Sequence, residues 1–220
     1  WANAAAPTRP RVFLIDRADS PQSLIIAGSV IAPTSTPNNL DIVAANETFG
    51  GSFSSRLNTN LRETKHWAYG ASAFTRDAVG QRPLMLYAPV QSDKTAESMA
   101  EILKETREII GSRPITAEEI TKVKANSVRS LPGNFETTAS VLGTLAKNAQ
   151  YNRPDDYITT LKQRIDAQKA DGIEAAAKEI YNPDALTWVV VGDLKQIEKP
   201  IRALKIGEVK VLDADGKLVR

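Results

Sequence analysis

Apolar positions cluster with strand-like spacing in two early segments, residues 11–17 (RVFLIDR) and 23–31, where Leu24, Ile25, Ile26 and Val30 recur. Each predicts a strand, with a turn at Asp19-Ser20-Pro21 between them. Pro33–Pro37 (PTSTP) reads as a loop, and Asn38 or Asn39 as the cap of a helix running to about Phe49 through Leu40, Ile42 and Val43. Gly50-Gly51 breaks that pattern. A new helix is expected from Ser52, with Phe53, Leu57 and Leu61 at four-residue spacing on one core-facing stripe. Arg62 lies one step round from Leu61, near the helix end, and Tyr69 follows seven residues later, just before a strand over Ala71–Thr75. A turn at Ala78–Pro83 leads to a further strand, Leu84–Val90 (LMLYAPV), whose Leu84, Met85 and Tyr87 read as core.

Helical periodicity then takes over. Asp93–Gly111 carries Met99, Ile102, Leu103, Ile109 and Ile110 on one stripe. Thr116-Ala117-Glu118-Glu119 is a capping box, followed by Ile120, Val123, Ser127, Val128 and Leu131 as the inward side, and Pro132-Gly133 stops the helix. Asn134 is placed as the next cap, with Phe135, Ala139, Leu142, Leu145 and Ala149 inward. Two more helices are expected, from Asp155 to about Gln168 and from a cap at Asp171 through Ile173, Ala177 and Ile180. Leu186–Val191 (LTWVVV) reads as a central strand covered on both faces. A short helix with Ile197, Ile201 and Leu204 follows, then a tail hairpin about Asp215-Gly216. Strands grouped ahead of helices predict an α+β fold: a mixed or antiparallel sheet of about five to six strands with helices mainly on one face.

Composition narrows the function classes. The 220 residues are 42% hydrophobic and 25% charged, and 28 basic against 26 acidic side chains leave a net charge of +2. That balance gives no reason to expect a nucleic-acid partner. No apolar run approaches the ~18–20 residues that span a bilayer. With no cysteine, neither disulfides nor thiolate metal sites are available. Residues 1–10 (WANAAAPTRP) read as an Ala/Pro linker from a missing upstream segment, and 11–220 as one domain.

The stretch Gly50–Tyr69, GGSFSSRLNTNLRETKHWAY, combines a helix break, an apolar helix face and a fixed Arg-to-Tyr spacing. It resembles the C-terminal-type, non-metal-binding domain of the pitrilysin/insulinase-like zinc peptidases. Their corresponding run is roughly GG-x-F-x-SRL-x-x-x-LRE followed by Tyr-Gly. Gly50, Gly51, Phe53, Ser55, Arg56, Leu57, Leu61, Arg62, Glu63, Tyr69 and Gly70 match it in order. VVVGDL at 189–194 resembles that domain's last main strand and turn; elsewhere the match is one of pattern. The resemblance implies that Arg62 and Tyr69 approach a zinc site on a partner domain or subunit and bind the substrate backbone near the scissile bond. The partner would carry H-x-x-E-H, in a homo- or hetero-dimer, and family habit points to a periplasmic or secreted bacterial enzyme, with the cytoplasm also compatible.

The chain's own chemistry is sparse. Its single histidine, His66, excludes H-x-x-E-H, and the G-x-S-x-G, Walker A and G-x-G-x-x-G patterns are absent. No metal ligand set or cofactor motif is assigned to this chain, and zinc is expected only on the partner. Arg62 and Tyr69 are the candidate site residues, as donors for a peptide carbonyl. Glu63 reads either as a carboxylate that fixes Arg62 or as a helix-surface charge. Gly50, Gly51 and Arg56 read as structural. Two other readings stay open: a non-proteolytic assembly subunit of the same fold, and a free-standing binding module.

Overall fold

Alternation of buried and half-buried positions builds the sheet. In the computed structural model, which describes residues 3–220, β1 (Arg11–Asp16) and β2 (Gln22–Ile31) open the fold. They are followed by α1 (Asn39–Asn46), α2 (Arg56–Asn58), β3 (Ser72–Thr75) and β4 (Arg82–Gln91). The helical block is α3 (Thr95–Ile109), α4 (Ala117–Ser130), α5 (Thr138–Gln150), α6 (Tyr157–Asp166) and α7 (Ala170–Ile180). β5 (Thr187–Gly192), α8 (Leu194–Ala203) and β6 (Glu208–Leu212) complete it. Of the segment read as a linker, Trp1 and Ala2 lie outside the described residues; residues 3–10 carry no helix or strand.

The sheet is six-stranded and mixed, in the order β3-β4-β2-β5-β1-β6. β1 runs parallel to β5 and β6, whereas β2 is antiparallel to β4 and β5, and β3 to β4. One face is fully buried through Val12, Leu14, Ile25, Leu84, Leu86 and Trp188, and α3 and α8 pack against the sheet. α7 packs on α1. The architecture is the α+β arrangement expected from the element order.

Several local expectations need correction. β5 is interior, but only alternate residues are buried; Thr187, Val189 and Val191 are half-exposed. A run of β-branched residues signals a fit to the pleated sheet, not cover on both faces. Met85 on β4 is likewise half-buried and Tyr87 is exposed. Asn134 does not cap α5: Leu131–Phe135 form a 3₁₀ turn around Pro132-Gly133, which moves the cap to Thr137. Thr137 and Ser140 make a reciprocal capping box. The new start rotates α5, so Leu142 and Leu145 face solvent and no α5 side chain is fully buried, while Phe135, left in the 3₁₀ turn, is 44% exposed. α7 is entered from Lys169, so Asp171 sits in the first turn, where a carboxylate complements the helix dipole. The Thr116–Glu119 capping box of α4 and the tail turn, with Gly216 at φ +80°, occur where the sequence placed them.

Gly50-Gly51 does not cut α1 short. The helix widens into a π turn over Glu47–Gly51 and becomes extended only at Ser52 (φ −109°, ψ 159°). This turn lies against β3: a Cβ on Gly50 would stand 2.5 Å from both the Cβ and the backbone nitrogen of Ala73. Asn46, buried just before the turn, donates Nδ2 to Ala73 O (2.9 Å) and accepts from the Tyr181 hydroxyl (3.1 Å). Gly50→Ala is therefore expected to destabilise the protein by about 1–3 kcal/mol, the usual effect of overpacking, read from the urea midpoint at unchanged m-value.

Candidate functional site

The site is built by the two segments that flank Asn58. Ser55, extended at φ −69° and ψ 161°, starts α2, which widens at once into a π-helical turn, Thr59–Thr64. The start is three residues later than the expected one at Ser52, because Ser52–Ser55 form a turn. Leu57 and Leu61 are buried as the spacing requires, but Phe53 precedes the helix and is 71% exposed. Its ring instead receives the Arg62 guanidinium, whose Cζ lies 4.4 Å from the ring centroid.

The chain reaches Tyr69 by a tight helix exit. Lys65 N donates to Asn60 O and Trp67 N to Leu61 O, with His66 between them in the left-handed region at φ 57°. Such an exit satisfies carbonyls that the helix leaves open. Ala68 then bridges to Val90 and Gln91 N donates to Trp67 O, fixing Tyr69 against β4. The Tyr69 ring centroid is 5.4 Å from the same Arg62 Cζ, and Tyr69 is 87% exposed. Arg62 and Tyr69 thus line one open cleft of about 470 Å³, together with Phe53, Asn58 and Tyr87. Glu63 lies 3.3 Å from Arg62 Nε and is mostly exposed.

Asn58 is the residue that sequence reasoning missed. It is buried, donates Nδ2 to Phe53 O (2.6 Å) and accepts from Ala71 N (3.0 Å) at Oδ1. One amide thereby ties the Phe53 turn to the start of β3, on either side of the Arg–Tyr pair. An isolated Asn beside a Leu carries no periodic signal, which is why the sequence did not single it out.

Arg56 faces away from the cleft. Nε and Nη2 make a bidentate pair with Glu119, each at 2.6 Å, and the remaining donors reach the carbonyls of Arg113 and Pro114. This anchors α2 to the first turn of α4. Burial works to raise the Glu119 pKa, but Arg56 and the Thr116 backbone N–H outweigh it and hold the carboxyl below its usual value. A depressed folded-state pKa means that the stabilisation is present above the unfolded value, about 4.3, and is lost as pH falls through the folded one. Urea titrations at successive pH values should show Arg56→Ala losing less stability on acidification than wild type.

The donors for a metal are not assembled. Among the described residues no three His, Cys, Asp or Glu side chains group closely enough to hold a metal ion. His66 stands alone and exposed on the helix exit. These residues do not fit a zinc site.

A sequence profile of the peptidase M16 inactive domain matches residues 3–127. The chain belongs to this family. As a peptidase M16 inactive domain, it is similar to the uncharacterized zinc protease YmxG of Bacillus subtilis (strain 168), at 23% identity over 144 residues. That match covers 66% of this chain and 35% of YmxG, so the chain spans about a third of that relative's length. Its fold matches the M16 inactive-domain structure from Pseudomonas fluorescens at a TM-score of 0.79 and 18% identity, over 87% of this chain and 45% of that one. It also matches a chain of complex III2 from Candida albicans at a TM-score of 0.69 and 13% identity, over 87% and 48%. The inactive-domain family accords with the absence of H-x-x-E-H from the sequence.

The contacts separate Asn58 from Tyr69 in stability measurements. Asn58→Ala leaves the buried Ala71 N–H and the part-buried Phe53 carbonyl unpartnered and should cost about 1–3 kcal/mol, mostly from the buried N–H. Tyr69→Phe, at an exposed position, should stay within about 0.5 kcal/mol. Chemical denaturation of the two variants beside wild type checks both.

Proposed function

We propose that this chain is the accessory substrate-binding domain of a zinc metallopeptidase, lending Arg62 and Tyr69 to a zinc site carried by an H-x-x-E-H domain or subunit. The supporting observation is the cleft itself. A phenol that is 87% exposed beside a guanidinium resting near two exposed rings contributes little to the core. Both groups are hydrogen-bond donors opening on the same space. Placed over a bound peptide, the Tyr69 hydroxyl and Arg62 N–H groups would orient the scissile carbonyl and favour the negative charge that develops on its oxygen. Zinc on the partner would supply the metal chemistry of hydrolysis, while this chain positions the peptide. Glu63, on the solvent side of Arg62, would restrain the guanidinium. We place the assembly, a homo- or hetero-dimer, in the periplasm or outside the cell.

The test is catalysis in trans. Assembled with its zinc-bearing partner, the wild-type chain should support hydrolysis of unstructured peptides. Tyr69→Phe and Arg62→Ala should each lower kcat/KM by about 10²–10³, with zinc content and assembly unchanged. The double variant should lose less than the product of the single losses, because both donors serve one substrate segment. Near wild-type activity of both variants in a zinc-loaded complex would instead favour an assembly subunit of this fold.

A further inference from the structure

A second, chemically different cavity lies between the Leu131–Phe135 turn, α5 and α6. Its volume is about 180 Å³, and Leu131, Phe135, Ile158 and Leu161 supply apolar wall. Asp77 and Arg153 lie at its junction with a larger, neighbouring space of about 570 Å³ that extends over Val43, Val123 and Ile165.

Charge at the junction is unbalanced. Arg82 is fully buried; it donates Nε to Ala32 O (3.0 Å) and Nη2 to Asn39 Oδ1 (2.6 Å), and its Nη1 lies 3.5 Å from Asp77 Oδ1. Lys147 Nζ lies 4.0 Å from the other oxygen of Asp77. Arg153 makes no ion pair with any described residue. Its guanidinium instead rests 4.5 Å from the Tyr157 ring and 5.5 Å from the Tyr151 ring. Two cations, Arg82 and Lys147, therefore share the Asp77 carboxylate, and Arg153 is left without one. The Arg153 backbone is held by its N–H on Asn148 O (2.9 Å), just after Asn152 turns at φ 51°. Asn148 also lines the cavity, and its side-chain Oδ1 is buried with no hydrogen-bond partner, so its amide is uncommitted. Glu47, the other carboxylate on the neighbouring wall, belongs only to the larger space.

We propose that this cavity binds a small aliphatic carboxylate, with the carboxyl group on Arg153 and Lys147 and the apolar body against Leu131, Phe135 and Leu161. A carboxylate matches the planar donor fork of a guanidinium, and aromatic stacking keeps that fork oriented without consuming its donors. With its amide reversed, so that Nδ2 takes the place of the unpartnered Oδ1, Asn148 donates to the second carboxyl oxygen. The size of the cavity suits one amino-acid side chain with its carboxyl group, whether in a free acid or at the C-terminus of a peptide. The site is independent of the Arg62–Tyr69 cleft.

The experiment titrates the whole chain, by calorimetry and by amide chemical shifts, with N-acetyl-leucine, N-acetyl-leucinamide, hexanoate and a short peptide ending in leucine. N-acetyl-leucine should bind and shift amides of α5 and α6, and the amide analogue should not. Hexanoate binding as well as N-acetyl-leucine assigns the site to free acids; tighter peptide binding assigns it to chain termini. Arg153→Gln should weaken binding about ten- to a hundredfold, the effect of losing a hydrogen-bonded charge. Arg153 also packs on two rings, so the exposed Lys147→Gln provides a second reading, with a smaller loss and an unchanged melting temperature. No binding to folded wild type at about 10 mM ligand, equal binding of the amide, or unchanged binding in both variants overturns the proposal.

Discussion

The approach of a helix end to an edge strand governs this molecule. The π turn after α1 brings Gly50 so near Ala73 that no side chain fits between them. Asn46 then spans the joint, with one hand on β3 and the other on Tyr181 at the end of α7. The ring of Tyr181 in turn meets Phe49 at 4.4 Å. Sheet, α1 and α7 are thus registered at one place. A buried amide with both ends satisfied holds such a joint because leaving either end unmet is costly. The cleft inherits its shape from this joint, since β3 is the strand that Tyr69 and Gly70 lead into.

A second feature repeats the device. α2 also widens into a π turn, and Asn58 also reaches from a helix to β3. Single π turns insert a residue into a helix and re-aim the side chains beyond the insertion. Here Arg62, one step round from the buried stripe of Leu57 and Leu61, lies within the π turn and rests on the Phe53 ring. The cation then lies within 5.4 Å of two ring centroids, Phe53 and Tyr69, both exposed.

Much of this was legible in the chain. The alternating runs gave the strands, the Thr116–Glu119 pair gave the start of α4, and the Arg-to-Tyr spacing in Gly50–Gly70 pointed to one cleft. The features that escaped have a common cause. Hydrophobic periodicity assumes 3.6 residues per turn, so it cannot register a π turn, and it assigned Phe53 to a helix that begins after it. Likewise the 3₁₀ turn at Pro132 moved the start of α5 from Asn134 to Thr137 and with it the side that faces the protein. Asn58 and Asn46 act through hydrogen bonds to distant backbone, which a local pattern does not encode.

The two ends of the sheet are guarded in different ways. On the β3 side, Ala73 O and Ala71 N are occupied by Asn46 and Asn58. On the β6 side, the tail folds back so that Val211 N donates to Arg220 O and Val211 O accepts from Val219 N. Some of the backbone groups that would template an incoming strand are thereby engaged at each margin. At Ala71, Ala73 and Val211 an added strand would have to displace these bonds. Association at these margins is left to side chains and surfaces rather than to added strands.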